Sequence, residues 1–378
     1  MKATEIVDKA CHMTGLQSFV DTSYHEGLNF LIDQVNACPK VTDKSLLVME
    51  RELLTALCNR LRVEDYLVRH PEVLSQRIEK PVFVFGLPRT GTTFANHLLG
   101  SDPNRRSLLN WESTQSIPPA TAETLYTDSR CTEKRTQQQT LLNNNPGLVL
   151  PHWEWADDPT ECIFLLAQDF KALSWEARLP MPEYSKWILQ CDTTSAYEYH
   201  KKVLQILQSN APGIWNLKMP SHAIFIETLR KVYPDARMIW THRDPYQAFA
   251  SSCSLNRFTQ TMTGIDPDPV YIGDNAKRRL SAHLQGAMDG KLMFGKDAIY
   301  DLYYENLMRD PIAEMKKLYD WLGDAFSDDI DAAMTRWITT HPQNQFGKHS
   351  YSIEEFGQTR ETLGPVFDEY AQQYGFGE

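Results

Sequence analysis

Apolar residues recur at helical spacing through the first part of the chain. They include Leu28, Leu31, Ile32 and Val35, and the pattern resumes with leucines between residues 46 and 61. Residues three and four positions apart lie on one face of a helix, so this spacing predicts amphipathic helices. We therefore expect a helical leader over residues 1–80, interrupted near Pro71.

From residue 81 the pattern changes to short apolar runs. PVFVF (81–85) and ARMIW (236–240) each precede a polar or glycine-rich turn and then a helical pattern, and IWNLK (214–218) and AIYDLYY (298–304) are two further runs. Such runs are typical of strands buried on both faces of a parallel sheet. Strands that alternate with helices predict an α/β fold, here a P-loop-like three-layer fold with a mostly parallel central sheet.

A long, mainly helical insertion separates the first two strand and helix units, over residues 121–209. Its aromatic residues are expected to pack between helices, and as a group near an active site they would line an apolar acceptor pocket. The expected organisation is a leader (1–80) packed on a main domain (81–378) that carries this insertion on the side of the substrate pocket.

Charge and composition limit the function. The formal net charge of -11 argues against a general nucleic-acid binder, because neutralising phosphates needs a surplus of Lys and Arg. No stretch approaches the roughly 20 apolar residues of a membrane span. The seven cysteines are scattered without a CxxC motif, which favours a reduced cytoplasmic location.

The turn after the first predicted strand, GLPRTGTT (86–93), has the glycine spacing of a nucleotide phosphate loop. Thr92 stands where nucleoside triphosphatases have lysine, which disfavours triphosphate chemistry. The backbone N–H groups and the following helix N-terminus still favour an anion, and Arg89 adds a cation. The loop residues predicted to bind this anion are Arg89, Thr90, Gly91, Thr92 and Thr93.

Two segments resemble those of sulfotransferases that use 3′-phosphoadenosine 5′-phosphosulfate (PAPS). KPVFVFGLPRTGTT is similar to the 5′-phosphosulfate loop, and ARMIWTHRDPYQAFASS is similar to the 3′-phosphate segment. The resemblance implies that Arg243 and Ser251 hold the 3′-phosphate. LKMPSHAIFIETLRKVYPDAR, DLYYENLMRDP and HSYSIEEFGQT resemble later segments of a largely bacterial branch, so the similarity runs from about Pro81 to the end.

The resemblance also suggests further donor contacts. Tyr304 matches a tyrosine that would stack on adenine, with a core tyrosine as the alternative. Lys348 and His349 correspond loosely to a basic C-terminal loop that reaches the 3′-phosphate.

Four residues are candidates for the transfer step itself. Glu112 follows the first helix of the domain, where several sulfotransferase branches keep a catalytic glutamate, and is the predicted base; a solvated loop carboxylate is the alternative. His222 is the rival, although it stands four positions after Lys218 and not two as in the cytosolic animal enzymes. Lys218 ends a strand and is expected to steady the developing charge, as is Arg89.

These features together predict a sulfotransferase that moves a sulfuryl group from PAPS to a hydroxyl or amine of a small-molecule acceptor, without a metal, and releases 3′-phosphoadenosine 5′-phosphate (PAP). A homo-oligomer is compatible with the sequence. The alternatives are a P-loop kinase, which lacks its lysine here, and a nucleotide-binding protein without transferase activity.

Overall fold

The computed structural model describes residues 1–17, 19–145, 153–341 and 352–376. Within them the chain forms one five-stranded parallel sheet with the order β2-β3-β1-β4-β5. The strands are β1 (Val82–Gly86), β2 (Arg105–Ser107), β3 (Ile214–Lys218), β4 (Arg237–His242) and β5 (Ile299–Tyr303). The predicted α/β fold with a mostly parallel sheet is confirmed. Strand β2 was not predicted, because its three residues, Arg-Arg-Ser, form no apolar run.

Helices cover both faces of the sheet and so produce three layers. The leader forms α1 (Ala3–Thr14), α2 (Tyr24–Ala37) and α3 (Asp43–Arg69), and α4 (Thr92–Gly100) follows β1. The helices between β2 and β3 are α5 (Ser129–Asn144), α6 (Ile163–Leu166), α7 (Leu173–Glu176), α8 (Pro182–Trp187) and α9 (Thr194–Asn210). The remaining helices are α10 (Ile226–Val232), α11 (Pro245–Thr263), α12 (Pro269–Phe294), α13 (Tyr304–Arg309), α14 (Pro311–Leu322), α15 (Asp328–Thr340) and α16 (Arg360–Gln373).

Alternation along β1 divides the core into two parts. Phe83 and Phe85 join a large cluster with the leader, α9, α12 and α16, whereas Val82 and Val84 join a smaller cluster with α4, α14 and α15. Successive side chains of a strand point to opposite faces, so an uninterrupted apolar run serves both layers.

A buried cation of the leader, Arg60, contributes to its packing against the rest of the chain. Arg60 of α3 is fully buried and forms ion pairs with Glu64 at 2.9 Å and with Asp169, beyond α6, at 2.8 Å. A buried guanidinium needs such partners, because an unpaired charge is costly away from water. The division into a leader and a main domain, and the insertion over residues 121–209, stay predictions.

Two turns at the carboxyl edge of the sheet lie side by side. Strands β1 and β4 are neighbours whose last paired positions are Gly86 and Thr241. The turn after β1 leads into α4, and the turn after β4 leads into α11, whose first backbone N–H groups are capped by Asp244. Loops that follow adjacent parallel strands meet at one edge, where ligands of α/β proteins bind.

Candidate active site

The backbone of the loop between β1 and α4 requires its two glycines. Gly86 has φ +154°, and a Cβ atom there would lie 2.5 Å from Thr241 Oγ1. Gly91 caps α4 with φ +90°, and its Cβ would lie 2.8 Å from Tyr304 Cδ2. Between them, Arg89 also has a left-handed backbone, with φ 72°. A non-glycine residue in this region is strained, and such residues concentrate at ligand sites.

The two turns are joined by polar contacts of Arg89 and Arg243. The Arg89 side chain donates from Nε to Ser251 Oγ at 3.1 Å. Arg243 Nη1 donates to the Arg89 carbonyl at 2.9 Å, and its guanidinium carbon lies 4.4 Å from the centre of the Tyr304 ring. The structure therefore brings together four of the residues that the sequence nominates for the donor, on three separate elements.

The three threonines of the loop differ in position. Thr90 is fully buried, donates to the Leu87 carbonyl at 2.6 Å and lies 2.5 Å from Thr241 Oγ1, so its hydroxyl holds the loop to β4. Thr92 and Thr93 line a cavity instead. The Thr90 hydroxyl is therefore occupied by contacts within the protein.

This cavity has a volume of about 470 Å³ and extends from the loop to the helices of the insertion. Its walls on the loop side include Arg89, Gly91, Arg243 and Tyr304. The walls from α6, α7, α11 and α12 are mixed. Their apolar residues, with Ala177 after α7, are Ile163, Leu173, Ala177, Leu255 and Leu280, and their polar residues are Ser174, Ser252, Asn256, Arg279 and His283.

Lys218 ends β3 and is completely buried between two carboxylates. Its Nζ lies 2.9 Å from Glu161 Oε1, 3.4 Å from Glu154 Oε1 and 3.3 Å from Thr93 Oγ1. Burial alone would lower the pKa of Lys218, but the charges of Glu161 and Glu154 and their hydrogen bonds outweigh it and raise the pKa above its ordinary value. Lys218 is therefore a persistent cation next to the loop.

Glu161 was missed by the sequence analysis. It lines the cavity, and its backbone bridges to Lys218, because the Cys162 N–H donates to the Lys218 carbonyl at 2.9 Å. No local pattern marks this glutamate, since its partner lies 57 positions further along the chain. Only the packing of the insertion against β3 brings the two together.

Glu112 and His222 are not among the residues that line the cavity. Glu112 is fully buried, and its carboxylate accepts from Arg106 Nη2 at 2.5 Å and from the Leu109 N–H at 3.2 Å. His222 is fully buried as well, with its Nδ1 2.7 Å from the Tyr197 hydroxyl. Burial holds the pKa of His222 well below its ordinary value. Lys348 and His349 lie outside the described residues.

The described part of the chain contains neither a cluster of metal ligands nor a membrane-spanning helix. No group of three or more His, Cys, Asp or Glu side chains is arranged to hold a metal ion there. None of the described helices is long and apolar enough to cross a membrane.

Residues 81–328 match the sequence model of the sulfotransferase family. The chain belongs to this family, and it is an enzyme with sulfotransferase activity.

Two mycobacterial sulfotransferases of known structure are similar over almost the whole chain. STF9 from Mycobacterium avium is 40% identical, with a TM-score of 0.93 over 98% of this chain and 96% of that one. STF1 from Mycobacterium tuberculosis is 29% identical, with a TM-score of 0.88 over 98% and 99% of the two chains. A curated relative named omega-hydroxy-beta-dihydromenaquinone-9 sulfotransferase Stf3, from Mycobacterium bovis, is 23% identical over 77% of this chain and 75% of its own length.

Proposed function

We propose that this enzyme transfers a sulfuryl group from PAPS to a hydroxyl or amine of a small, largely apolar acceptor. The observation that carries the proposal is the contact between the two turns, where Arg89 bonds Ser251 and Arg243 bonds the backbone of Arg89. Two guanidinium groups and a hydroxyl thus lie beside a glycine loop at a helix N-terminus, an arrangement suited to a ligand with two separate anionic groups.

The residues of the loop would hold the 5′-phosphosulfate. Gly91 allows the Tyr304 ring to pack against the loop, because a Cβ atom there would lie 2.8 Å from Tyr304 Cδ2, and the backbone N–H groups at the start of α4 would bind the anion. Arg243 and Ser251 would hold the 3′-phosphate. Tyr304 lies against the Arg243 guanidinium and would orient it, and its contact with adenine stays a prediction.

When bound, PAPS supplies a sulfuryl group attached to a phosphate leaving group. The buried Lys218 ammonium would stabilise the negative charge that develops on the departing oxygen, since it lies 3.3 Å from Thr93 Oγ1 at the start of α4. The loop cation Arg89 would share that task. The acceptor oxygen or nitrogen would form its new bond to sulfur as the sulfur–oxygen bond to the phosphate breaks.

We favour Glu161 over Glu112 and His222 as the base that takes the acceptor's proton. Glu161 lines the cavity beside Lys218, whereas Glu112 is enclosed by Arg106 and the Leu109 backbone. A general base must come within hydrogen-bond reach of the proton it removes, and position is therefore the first criterion.

The apolar residues of these walls, such as Leu173, Leu255 and Leu280, support an acceptor with a hydrocarbon part. The name of the Stf3 relative refers to a hydroxylated dihydromenaquinone as its acceptor, which is consistent with an acceptor of this general class.

Calorimetric titration with PAP and with adenosine 5′-monophosphate tests the donor assignment. We expect PAP to bind about 10²- to 10⁴-fold more tightly, because the charged hydrogen bonds of Arg243 and Ser251 contribute about 1.5 to 3 kcal/mol each. Arg243→Ala should remove most of this difference, while Arg69→Ala, at an exposed arginine of α3 paired with Asp65, should leave it unchanged. Equal affinities for the two nucleotides in the unmodified enzyme would contradict the donor assignment.

A further inference from the structure

Arg279 is a buried cation with few partners on the acceptor side of the cavity. It lies on α12, is 8% exposed and lines the cavity next to Leu280. The ion pair between Arg279 Nη1 and Glu176 Oε2, 3.3 Å long, is its only side-chain polar contact within the described residues. Its Nε has no hydrogen-bond partner in that part of the chain.

A guanidinium has five N–H donors, and most buried donors in folded proteins are paired. Glu176 meets only part of this need. Its Oε1 accepts from Asn275, and burial raises the pKa of Glu176 in spite of the opposing charge of Arg279. The contrast with Arg60 is direct, because Arg60 is also buried but bonds two carboxylates, a backbone carbonyl and a hydroxyl.

The surroundings of Arg279 indicate what kind of group would complete its contacts. The neighbouring walls combine aliphatic side chains, Leu173, Ala177 and Leu255, with uncharged polar ones, Ser174, Ser252 and Asn256. His283, one turn along α12, also lines the cavity, and its Nδ1 lies 2.7 Å from the Arg279 carbonyl. Since a carbonyl only accepts, the proton of a neutral ring lies on Nδ1. The Arg279 side chain is therefore the cationic donor among these walls.

We propose that Arg279 is a specificity-determining residue that binds a carbonyl-type oxygen of the acceptor, as a neutral carbonyl or as a carboxylate. This inference rests on the proposed function, because it places the acceptor on the far side of the cavity from Arg89 and Arg243. The acceptor then has an aliphatic or aromatic body, a nucleophilic group near Glu161 and a second oxygen function at Arg279. Binding of that oxygen by Arg279 fixes where the aliphatic or aromatic part of the acceptor lies along the cavity walls.

The test uses four soluble probes with the same apolar body: phenylbutyrate, phenylbutyramide, phenylbutanol and phenylbutylamine. Each is titrated calorimetrically into the full-length enzyme with and without saturating PAP. We expect phenylbutyrate and phenylbutyramide to bind about 10- to 100-fold more tightly than phenylbutylamine, the range that follows from a hydrogen bond to a charged group. Phenylbutanol should fall between them, because its hydroxyl also accepts.

Two variants separate recognition from folding. Arg279→Lys keeps the charge but loses the planar fork, and should weaken the amide more than the carboxylate. The double variant Arg279→Gln with Glu176→Gln removes both charges together, so no unpaired buried carboxylate remains, and it should bind all four probes within about twofold of one another. Thermal unfolding and PAP affinity are measured for each variant to confirm that the protein is folded.

The outcomes distinguish the two proposals. If the unmodified enzyme binds PAP normally but shows no preference among the probes, the role of Arg279 is wrong and the donor assignment is unaffected. If Arg279→Lys weakens PAP binding and leaves the probes unchanged, Arg279 belongs to the donor site and the inference is also overturned. If PAP does not bind at all, the proposed function fails, while the probe titrations without PAP still decide the role of Arg279.

Discussion

The proposed donor side of the cavity, with Arg89 and Arg243, comes mainly from two turns that follow adjacent strands, whereas the proposed acceptor side is assembled from elements far apart in sequence. On the donor side, Arg89 and Arg243 each lie within a few residues of a buried strand. On the acceptor side, Glu161 comes from the insertion and Arg279 from α12. Strand pairing places the first pair, but only the packing of helices places the second. We therefore expect changes on the donor side to affect nucleotide affinity and changes on the acceptor side to affect turnover and specificity.

The largest expected effect separates Glu161 from Glu112. Glu161→Gln keeps the size and much of the hydrogen bonding to Lys218, so it should lower turnover by roughly 10² to 10⁴ fold, the usual worth of general base catalysis, while PAP affinity changes little. The measurement is the initial rate with an acceptor found by screening with a sulfur-labelled donor, together with calorimetry.

Glu112→Gln is the matched comparison. Glu112 is buried in an ion pair with Arg106, so its loss should appear as a lower free energy of unfolding and have a much smaller effect on the turnover of the folded enzyme. A folded Glu112→Gln variant without activity, next to an active Glu161→Gln variant, would restore Glu112 as the base.

A second, smaller effect is expected for Arg89→Gly. Glycine adopts the left-handed backbone of this position without strain, so the loop should keep its shape, but the guanidinium that bonds Ser251 is lost. PAP affinity should fall about 10- to 100-fold with a free energy of unfolding within about 1 kcal/mol of the unmodified enzyme. A large loss of stability in urea unfolding would instead assign Arg89 a structural role.

The smallest expected effect concerns the dependence of the unfolding free energy on pH. His200 of α9 is fully buried, and burial lowers its pKa to about 3 from an ordinary value near 6.5. The unfolded chain therefore binds a proton below pH 6.5 that the folded chain does not, and stability falls as the pH drops from 6.5 towards 3.

Between pH 7 and pH 5 this single residue should cost about 2 kcal/mol of unfolding free energy. His200→Phe should reduce the loss by that amount in urea unfolding at the two pH values, whatever its effect at neutral pH. His70→Phe, at an exposed histidine, is the control and should leave the loss unchanged. An equal loss in the His200→Phe variant would show that His200 does not control this acid response.

The sheet class and the loop after β1 were largely predictable because their determinants are local. The apolar run at β1, the glycine turn and the start of α4 are contiguous in the chain. The edge strand β2 was missed, since its arginines are buried by pairing with Asp102, Asp324 and Glu112 and not by apolar character. Periodicity cannot detect a strand that is buried through ion pairs.

The limit of prediction from sequence is clearer for the residues considered for the transfer step. Glu112 was nominated because it follows the first helix of the domain, but that position says nothing of the direction of its side chain, which bonds Arg106. Glu161 has no distinctive local context and gains its position only when the Cys162 backbone pairs with Lys218. For such residues the chemistry depends on which elements meet, and that is decided by long-range packing.

The sequence by itself therefore predicted the mostly parallel sheet and the glycine turn after β1, because strand propensity and glycine geometry act over short distances. The pairing of β1 with β4, which brings Arg243 to Arg89 from 154 positions away, belongs to the tertiary structure. Tertiary structure alone decided that Lys218 lies between Glu154 and Glu161, and that Arg279 is buried with one carboxylate. Burial is a property of the folded chain. Lysine, arginine and glutamate are ordinarily surface residues, and here folding buries Lys218 and Arg279 next to carboxylates.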